Sequence, residues 1–389
     1  GLRGRGGAGF PTGVKWGFVP KDVFPKYVTV NADESEPGTF KDRQLLENNP
    51  HQVIEGALIC AYAIQAERVY IYCRGEFWDL AHALERRIAE AYDKGFVGEN
   101  ILGSGWSCDM YVHLGAGAYI CGEETALLES LEGKRGQPRL RPPFPASVGL
   151  YGKPTVINNV ETLANVPYII VNGAEGYRQF GTEKSPGTKI FCLSGHVNRP
   201  GNYELPMGGD TTLRKLIFDP ALGGGVPGDH RVKGVLPAGA SAAILPATDE
   251  VLDTPLTYES LEPYGTSLGS ASVIVLDETV DMFWAGKKMI EFFSHESCGQ
   301  CTPCREGTYW LRRLYEHVER YGGDAMDIET LDSVARQMIG KCICALGEFA
   351  VNPVIATIKH FREDYEAAID QGAQPQQQPA PHAEEVAGD

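Results

Sequence analysis

The amino-acid sequence predicts three folded parts: an α/β domain with a parallel sheet, a small β-rich domain, and a bundle of helices. Strand and helix patterns alternate through the first part of the chain, as expected of βαβ units. Short strands with a single helix follow from Thr188, and from Asp277 onward apolar residues recur at helical spacing. We therefore place the domains at residues 1–180, 181–265 and 266–371, followed by a disordered polar tail at 372–389.

The composition excludes several classes of protein. A formal net charge of −16 argues against nucleic acid as the main partner. No apolar run approaches the 18 residues of a bilayer span. Ten cysteines in 389 residues do not form a disulfide scaffold, and we expect those outside a metal site to be reduced. The sequence starts at Gly1 inside a Gly-rich loop, so we expect further residues upstream and leave a targeting segment open.

The first loop has the composition of a phosphate site. Six of the first thirteen residues are Gly, and the first 21 residues carry four cations and no acid: Arg3, Arg5, Lys15 and Lys21. Glycines let backbone N–H groups approach an anion, and cations neutralise it. The G-x-G-x-x-G match at Gly4–Gly9 is weak, because no strand precedes it and Pro11 and Gly13 interrupt the helix it should open. A flexible entry loop is the alternative.

Polar side chains then follow a short strand, Tyr27–Val30. Asn31, Asp33 and Glu34 come where this strand gives way to a loop, which is the ligand-facing end of a strand in α/β folds. Carboxylates there suit ribose or ribityl hydroxyls and would repel a 2′-phosphate. A surface turn rich in Asn and Asp is the alternative.

The next elements continue the α/β pattern and end in a second Gly-rich loop. They are a helix at Val53–Ile64, a strand at Arg68–Cys73, a helix at Trp78–Tyr92 and a strand at Met110–Leu114. The second loop ends in Glu123 and Glu124, before a helix at Thr125–Leu131. These acids either favour the helix dipole, by about 0.3–1 kcal/mol each, or face a nucleotide and a flavin.

Two further segments close the first domain. Residues 138–145 are stiff and proline-rich, and they carry Arg141 and Phe144. Asn158 or Asn159 caps a helix near residues 160–172, or offers an amide to a ligand. The second domain has strands at Lys189–Ser194, Asn202–Leu205 and Val232–Leu236 and a helix at Thr212–Phe218, with no cofactor signal.

The C-terminal part is predicted to be four helices that hold a metal centre. The last helix is predicted to begin at Asn352-Pro353, a capping and first-turn pair. Cys298, Cys301 and Cys304 form a C-x2-C-x2-C run, with Cys344 as a remote fourth thiol. This spacing favours a [4Fe–4S] cluster over zinc or disulfides. Cys342 competes with Cys344 as the fourth ligand, and spacing alone leaves the choice open.

Together, six motifs resemble the NADH-binding flavoprotein subunit of respiratory complex I and the related diaphorase subunits of NAD-dependent hydrogenases and formate dehydrogenases. They are GLRGRGGAGFPTGVKW, NADESEPG, GAGAYICGEE, INNVETLANVP, ESCGQCTPCREG and CALGE. The resemblance implies a Rossmann-like FMN and NADH domain, a ubiquitin-like β-grasp domain and a four-helix bundle with an iron–sulfur site. It also implies NADH oxidation through FMN to the cluster and on towards quinone, with no proton-transfer catalyst.

The resemblance also implies the binding residues. Those implied for FMN are Gly4, Arg5, Gly6, Lys15, Asn31, Asp33, Tyr119, Gly122, Glu123, Asn158, Asn159 and Thr162. Those implied for NADH are Phe10, Phe18, Glu36, Glu124, which lies near the nicotinamide, Arg141 and Phe144. Those implied for the [4Fe–4S] cluster are Cys298, Cys301, Cys304 and Cys344. Two positions depart from the family pattern: Arg141, where some relatives carry Lys, and the extra thiol of Cys342.

Partners and location follow from the same resemblance. It implies a [2Fe–2S] thioredoxin-like subunit and a large iron–sulfur subunit as partners. It places the chain in a peripheral arm at the cytoplasmic face of the bacterial inner membrane, or at the matrix side in a mitochondrion. A diaphorase subunit of a soluble hydrogenase or formate dehydrogenase is the alternative.

Overall fold

A computed structural model describes residues 1–372. Its first sheet has four parallel strands in the order β3-β2-β1-β4. The strands are β1 (Tyr27–Ala32), β2 (Arg68–Cys73), β3 (Asp109–Leu114) and β4 (Thr155–Asn159). Because Asn31 pairs with Asn159, the carboxyl ends of the two neighbouring strands β1 and β4 meet at one edge.

Six helices accompany this sheet. They are α1 (Thr12–Gly17), α2 (Lys41–Asn48), α3 (Pro50–Ile64), α4 (Trp78–Asp93), α5 (Glu124–Leu131) and α6 (Val160–Arg178). Buried Val28 and Val30 of β1 pack in one core with Val53 and Ala57 of α3, as the apolar pattern of α3 predicts. The first helix does form after the Gly-rich loop, with Pro11 as its N-cap and Gly13 inside it. The expectation that these two residues would interrupt a helix is therefore wrong.

The second sheet is mixed, with five strands in the order β6-β5-β9-β7-β8. Its central strands β5 and β9 are parallel, and its other pairs are antiparallel. The strands are β5 (Thr188–Gly195), β6 (Gly201–Pro206), β7 (Val232–Ala240), β8 (Leu245–Pro246) and β9 (Ser272–Asp277), and the helices are α7 (Leu213–Phe218) and α8 (Asp249–Leu252). The central strand β9 lies beyond the expected domain boundary at residue 265. The sheet is complete only at Asp277, because β9 joins its two halves.

The C-terminal part contains five helices where four were expected. They are α9 (Met282–Glu296), α10 (Thr302–Tyr321), α11 (Ala325–Met338), α12 (Leu346–His360) and α13 (Arg362–Gly372). The expected start at Asn352-Pro353 is wrong, because α12 begins at Leu346 and Pro353 lies inside it. Buried Leu346, Ala350 and Val354 extend its apolar stripe upstream, and this burial outweighs the helix hydrogen bond that proline removes.

One core connects the first domain to these helices. Leu127 and Leu128 of α5 share it with Phe293 of α9 and Leu311 of α10. Of the tail expected at 372–389, Gly372 ends α13 and residues 373–389 lie outside the described part. In the described part, no helix combines the length and the apolar character needed to cross a membrane.

Candidate functional site

The N-terminal Gly-rich loop packs over the ends of β4 and α6. The Gly4 N–H donates to the carbonyl of Phe10 (2.8 Å), and the Arg5 N–H donates to Thr162 Oγ1 (2.8 Å). A Cβ on Gly6 would lie 2.8 Å from Cβ of Asn159, closer than real side chains approach. Glycine at this position therefore allows the loop backbone to reach the strand ends.

The Arg5 side chain does not face the open side of this loop. Its guanidinium is fully buried and donates to Tyr177 Oη (2.8 Å) and to the carbonyls of Pro186 and Thr188 (both 2.9 Å). These groups lie between the first domain and β5. The expectation that this cation neutralises a bound phosphate is therefore not supported, because the charge is committed to an internal junction.

A buried carboxylate lies at the end of β1. The Asn31 amide donates to the carbonyl of Gly122 (2.8 Å), and the Asn31 side-chain oxygen accepts the Asp33 N–H (3.1 Å). Asp33 is buried, and its Oδ1 has no hydrogen-bond partner in the described protein. Burial raises the pKa of Asp33 to about 7. A buried acceptor without a partner fits a ligand hydroxyl, which is what the ribityl chain of FMN offers.

Three further expected residues already hold one another. Asn158 accepts from Trp16 Nε1 (2.8 Å). Asn159 donates to Asp42 (2.6 Å) and caps α6 by accepting the N–H of Thr162 (3.4 Å). The capping role predicted for this Asn pair is thus confirmed for Asn159.

A network of ions joins α1 to α5. Lys15 Nζ lies 3.1 Å and Arg141 Nη1 lies 3.0 Å from the Glu124 carboxylate. Burial raises the pKa of Glu124, but the two cations outweigh burial and the pKa is lowered overall. The neighbouring Glu123 caps α5, since its carboxylate accepts the N–H groups of Thr125 (2.8 Å) and Ala126 (2.9 Å). Both the helix role and a charged wall are therefore present.

Tyr119 and Glu36 connect this edge to the second sheet. The Tyr119 hydroxyl donates to Glu36 Oε2 (2.7 Å), and the Ser241 N–H donates to Glu36 Oε1 (2.7 Å). Burial raises the pKa of Glu36. Both carboxylate oxygens are thus held in place from two different domains.

The expected stacking residues are exposed. Phe10 and Phe18 are 47% and 57% exposed, and their ring centroids are 6.2 Å apart. Phe144 lies instead with Arg141 in an open cavity of about 620 Å³, whose other wall includes Lys341 and Cys342. The structure therefore brings Phe10 and Phe18 together and places Phe144 nearer the thiols.

Five thiols lie together between α9 and α12. Cys298, Cys301, Cys342 and Cys344 are partly buried around the buried Cys304. Burial raises the pKa of Cys304 to about 11 and that of Cys344 to about 12. Thiols so placed need a bound cation to become thiolates, as an iron–sulfur cluster provides. In residues 1–372, no three His, Cys, Asp or Glu side chains converge on a point that would hold a single metal ion.

Several buried charges were missed by the sequence analysis. Lys41 is fully buried between Asp42 (2.8 Å) and Glu161 (2.9 Å), and Lys189 lies 3.4 Å from Glu161. The Glu34 carboxylate accepts the N–H of Asp42 (2.7 Å), and burial raises its pKa to about 7. The charge run KDRQ looked like an exposed face of a helix, and nothing local signals that it packs against another domain.

Two family models match the chain in the regions that contain these groups. The Nuo51 FMN-binding domain matches residues 1–168, and the NADH-ubiquinone oxidoreductase-F iron-sulfur binding region matches residues 285–368. The second match sets aside the zinc and disulfide alternatives for the thiols. FMN and a [4Fe–4S] cluster are thus the cofactors of these regions.

Curated relatives extend the match over nearly the whole chain. The NADH-quinone oxidoreductase F subunit of Mycobacterium tuberculosis is 53% identical over 380 residues, which are 96% of this chain and 84% of the relative. The second of the F subunits of Rhizobium meliloti is 52% identical over 371 residues, or 95% of this chain and 87% of the relative.

The chain belongs to the family of NADH-quinone oxidoreductase F subunits.

A solved structure agrees with this family in fold. It is an NAD+-reducing [NiFe]-hydrogenase in the H2-reduced state, with a TM-score of 0.85 and 41% identity. The match covers 97% of this chain but only 61% of the hydrogenase chain. The predicted resemblance and the three-part fold class of this family are thereby confirmed.

Proposed function

We propose that the chain is the NADH-oxidising module of an NADH-quinone oxidoreductase. The observation that carries this proposal is the direct contact between the two cofactor regions. The backbone N–H of Tyr119, in the second Gly-rich loop, donates to Glu296 Oε2 (3.1 Å), and Glu296 is two residues from Cys298. Electrons that enter on one side of this contact have a short protein path to the thiols on the other.

The FMN roles follow from the geometry at the strand ends. Asp33 would accept a hydroxyl of the ribityl chain, because its buried Oδ1 has no protein partner. Gly4, Gly6 and Gly122 would let the ligand approach the backbone. Lys15 would supply the cation that Arg5 cannot, and Arg5 would contribute only through its backbone. Further contacts would come from the remaining expected residues: Asn31, Tyr119, Glu123, Asn158, Asn159 and Thr162.

The NADH roles belong to the more exposed rim. Phe10 and Phe18 offer ring faces for an adenine, and Phe144 would close the site from the cavity side. Glu36 would meet a ribose hydroxyl, while Glu124, with Arg141 beside it, would lie near the nicotinamide.

The reaction needs orientation rather than a proton-transfer residue. When bound, FMN supplies a hydride acceptor for NADH, and the [4Fe–4S] cluster supplies a one-electron acceptor. The part of the protein is to hold donor and acceptor rings in stacking distance. We assign Cys298, Cys301, Cys304 and Cys344 as the cluster ligands, and we assign no catalytic acid or base.

The partners and the location are inferred from the named relatives. We infer partner subunits that carry further iron–sulfur clusters, namely a [2Fe–2S] thioredoxin-like subunit and a large iron–sulfur subunit. The chain would then lie in a peripheral arm on the NADH-containing side of the membrane: the cytoplasmic face in a bacterium, the matrix side in a mitochondrion. Identifying the subunits that co-purify with the chain tests both inferences.

An NADH oxidation assay tests the activity. The chain loaded with FMN and its cluster should oxidise NADH with ferricyanide as acceptor, and should use NADPH poorly, because the carboxylates at the rim repel a 2′-phosphate. Tight flavin loading without NADH oxidation would contradict the proposal.

The diaphorase of an NAD-dependent hydrogenase is the second candidate. The fold match to the hydrogenase favours it, and a formate dehydrogenase would use the same module. A nickel–iron or molybdenum subunit in the purified complex would decide for these enzymes, and quinone-reducing membrane subunits would decide against them.

A further inference from the structure

Glu296 occupies the junction between the two cofactor regions. It is the last residue of α9, directly before the loop that carries Cys298 and Cys301. Its side chain is 17% exposed. The element that ends in the cluster loop therefore places a carboxylate against the Gly-rich loop of the other domain.

The contacts of Glu296 hold one residue of that loop from several sides. Its Oε2 accepts the N–H of Tyr119 (3.1 Å), while Phe292 and Phe293, from the same helix, meet the Tyr119 ring edge-on at 5.2 Å and 6.0 Å. At its far end, the Tyr119 hydroxyl donates to Glu36 (2.7 Å). The C-terminal turn of α9 thus fixes both the backbone and the ring of Tyr119.

A second contact ties the cluster loop itself to the same domain. The carbonyl of Cys298 accepts from Gln137 Nε2 (3.0 Å), in the segment that follows α5. Because Glu296 and Cys298 are two residues apart, the two contacts form a clamp on one short segment. A shift of this segment would move the first cluster ligand relative to the flavin loop.

The charge of Glu296 is only weakly compensated. Within residues 1–372 its one ion-pair partner is His295, at 3.1 Å, which is charged only when protonated and is largely exposed. The field of Glu296 also reaches the flavin side, where burial chiefly raises the pKa of Asp33 and the Glu296 charge adds to the rise. A negative charge near an iron–sulfur cluster makes the cluster harder to reduce.

We propose that Glu296 is a positioning residue that holds the flavin loop in register with the cluster loop, and that its charge keeps the cluster potential low. The proposal rests on the proposed function. It assigns two separable effects to one carboxylate: a hydrogen bond that sets geometry, and a charge that sets potential.

Two variants of the holoprotein separate these effects. Glu296→Gln keeps an oxygen that accepts the Tyr119 N–H but removes the charge, whereas Glu296→Ala removes both. We expect Glu296→Gln to keep the rate of cluster reduction by NADH near the wild-type value and to shift the cluster midpoint potential to a more positive value. We expect Glu296→Ala to show the same shift and, in addition, a several-fold slower reduction of the cluster in stopped-flow measurements.

The matched control is Glu291→Gln on the same helix. The Glu291 carboxylate pairs with Lys287 (3.3 Å) and Lys288 (2.8 Å) and makes no contact with Tyr119 among the described residues. This variant should change neither the potential, measured by redox titration with electron paramagnetic resonance, nor the rate.

Three results would overturn the proposal: wild-type potentials in both Glu296 variants, an equal slowing in Glu296→Gln and Glu296→Ala, or a loss of cluster from both. NADH oxidation with ferricyanide is measured in parallel. If the wild-type holoprotein lacks this activity, the proposed function fails. If it is present while the variants behave as the control does, only the role of Glu296 fails.

Discussion

At the scale of single residues, Asp33 is the side chain whose surroundings most require a ligand. Its pKa is raised from 3.8 to about 7 by burial, so the folded protein binds this proton more tightly than the unfolded chain does. Stability from this group therefore falls as the pH rises from about 4 to about 7. The protein keeps an unfavourable buried acceptor at the place where FMN is proposed to bind.

This predicts a trade-off in Asp33→Asn. In flavin-free protein, the variant should unfold at a higher temperature than the wild type at pH 8, where the wild type buries a charge. At pH 5, where the wild-type carboxyl is largely neutral, the two should unfold alike. FMN affinity should fall about tenfold or more at pH 8, the typical cost of losing a hydrogen bond to a charged group. Thermal unfolding and flavin titration check both, and an equal temperature shift at both pH values would contradict the interpretation.

The fourth cluster ligand is a second prediction at this scale. Cys344 lies beside Cys298 and Cys304, and a backbone N–H of Leu346 points to its sulfur. Cys342 lies on the other side, where its thiol donates to the carbonyl of Met338 (3.7 Å). We expect Cys344→Ala to lose the cluster and Cys342→Ala to retain it, as measured by iron and acid-labile sulfide per chain. The reverse outcome would exchange the two roles.

Arg5 shows where prediction from sequence ends at this scale. The Gly-rich composition of the first loop correctly predicts close backbone packing, because that property belongs to the glycines themselves. The direction of the Arg5 side chain depends on Tyr177, Pro186 and Thr188, which lie far along the chain. Local charge therefore suggested a phosphate contact that the long-range partners prevent.

At the scale of elements, the close contact of α3 with α6 positions the flavin edge. A Cβ on Gly56 of α3 would collide with the carbonyl oxygen of Leu163 in α6. The first turn of α6 holds Asn159 as its cap and Thr162 against the Gly-rich loop. A shift of α6 would therefore move the ends of the loop and of β4 together.

Gly56→Ala tests this dependence. Alanine favours a helix over glycine by about 1 kcal/mol, but overpacking costs about 1–3 kcal/mol and cannot be relieved easily by backbone atoms. We expect a lower unfolding temperature and weaker retention of FMN. Gly13→Ala in α1 is the control, since a Cβ there meets nothing within 4 Å. Equal behaviour of the two variants would show that the helices can separate without consequence.

The sequence predicts elements well where burial follows a local period, and poorly where pairing decides. The strands β1, β2 and β3 and the helices α3 and α4 were predicted within a few residues, because their apolar residues repeat at regular spacing. The strand β9 was missed as a part of the second sheet, because its neighbours β5 and β7 precede it by many residues. The start of α12 was misplaced because Pro353 was taken as a first-turn residue.

At the scale of the whole molecule, the question is whether the cluster supports the flavin domain. The shared core joins Leu127 and Leu128 to Phe293 and Leu311 without passing through the thiols. Behind it, Tyr315 and Tyr365 are buried and hydrogen-bonded to each other (2.5 Å). Apolar packing alone therefore joins the helices to the first domain.

Cys301→Ala should consequently separate the two cofactors. Cys301 is a partly exposed N-cap residue of α10, so its loss removes a ligand but little of the core. We expect the variant to lack the cluster while its FMN is still bleached by NADH without oxygen, and while ferricyanide reduction continues. Cys342→Ala, which keeps all four proposed ligands, is the control. If Cys301→Ala lost FMN together with the cluster, the thiols rather than the core would hold the α/β domain in its folded form.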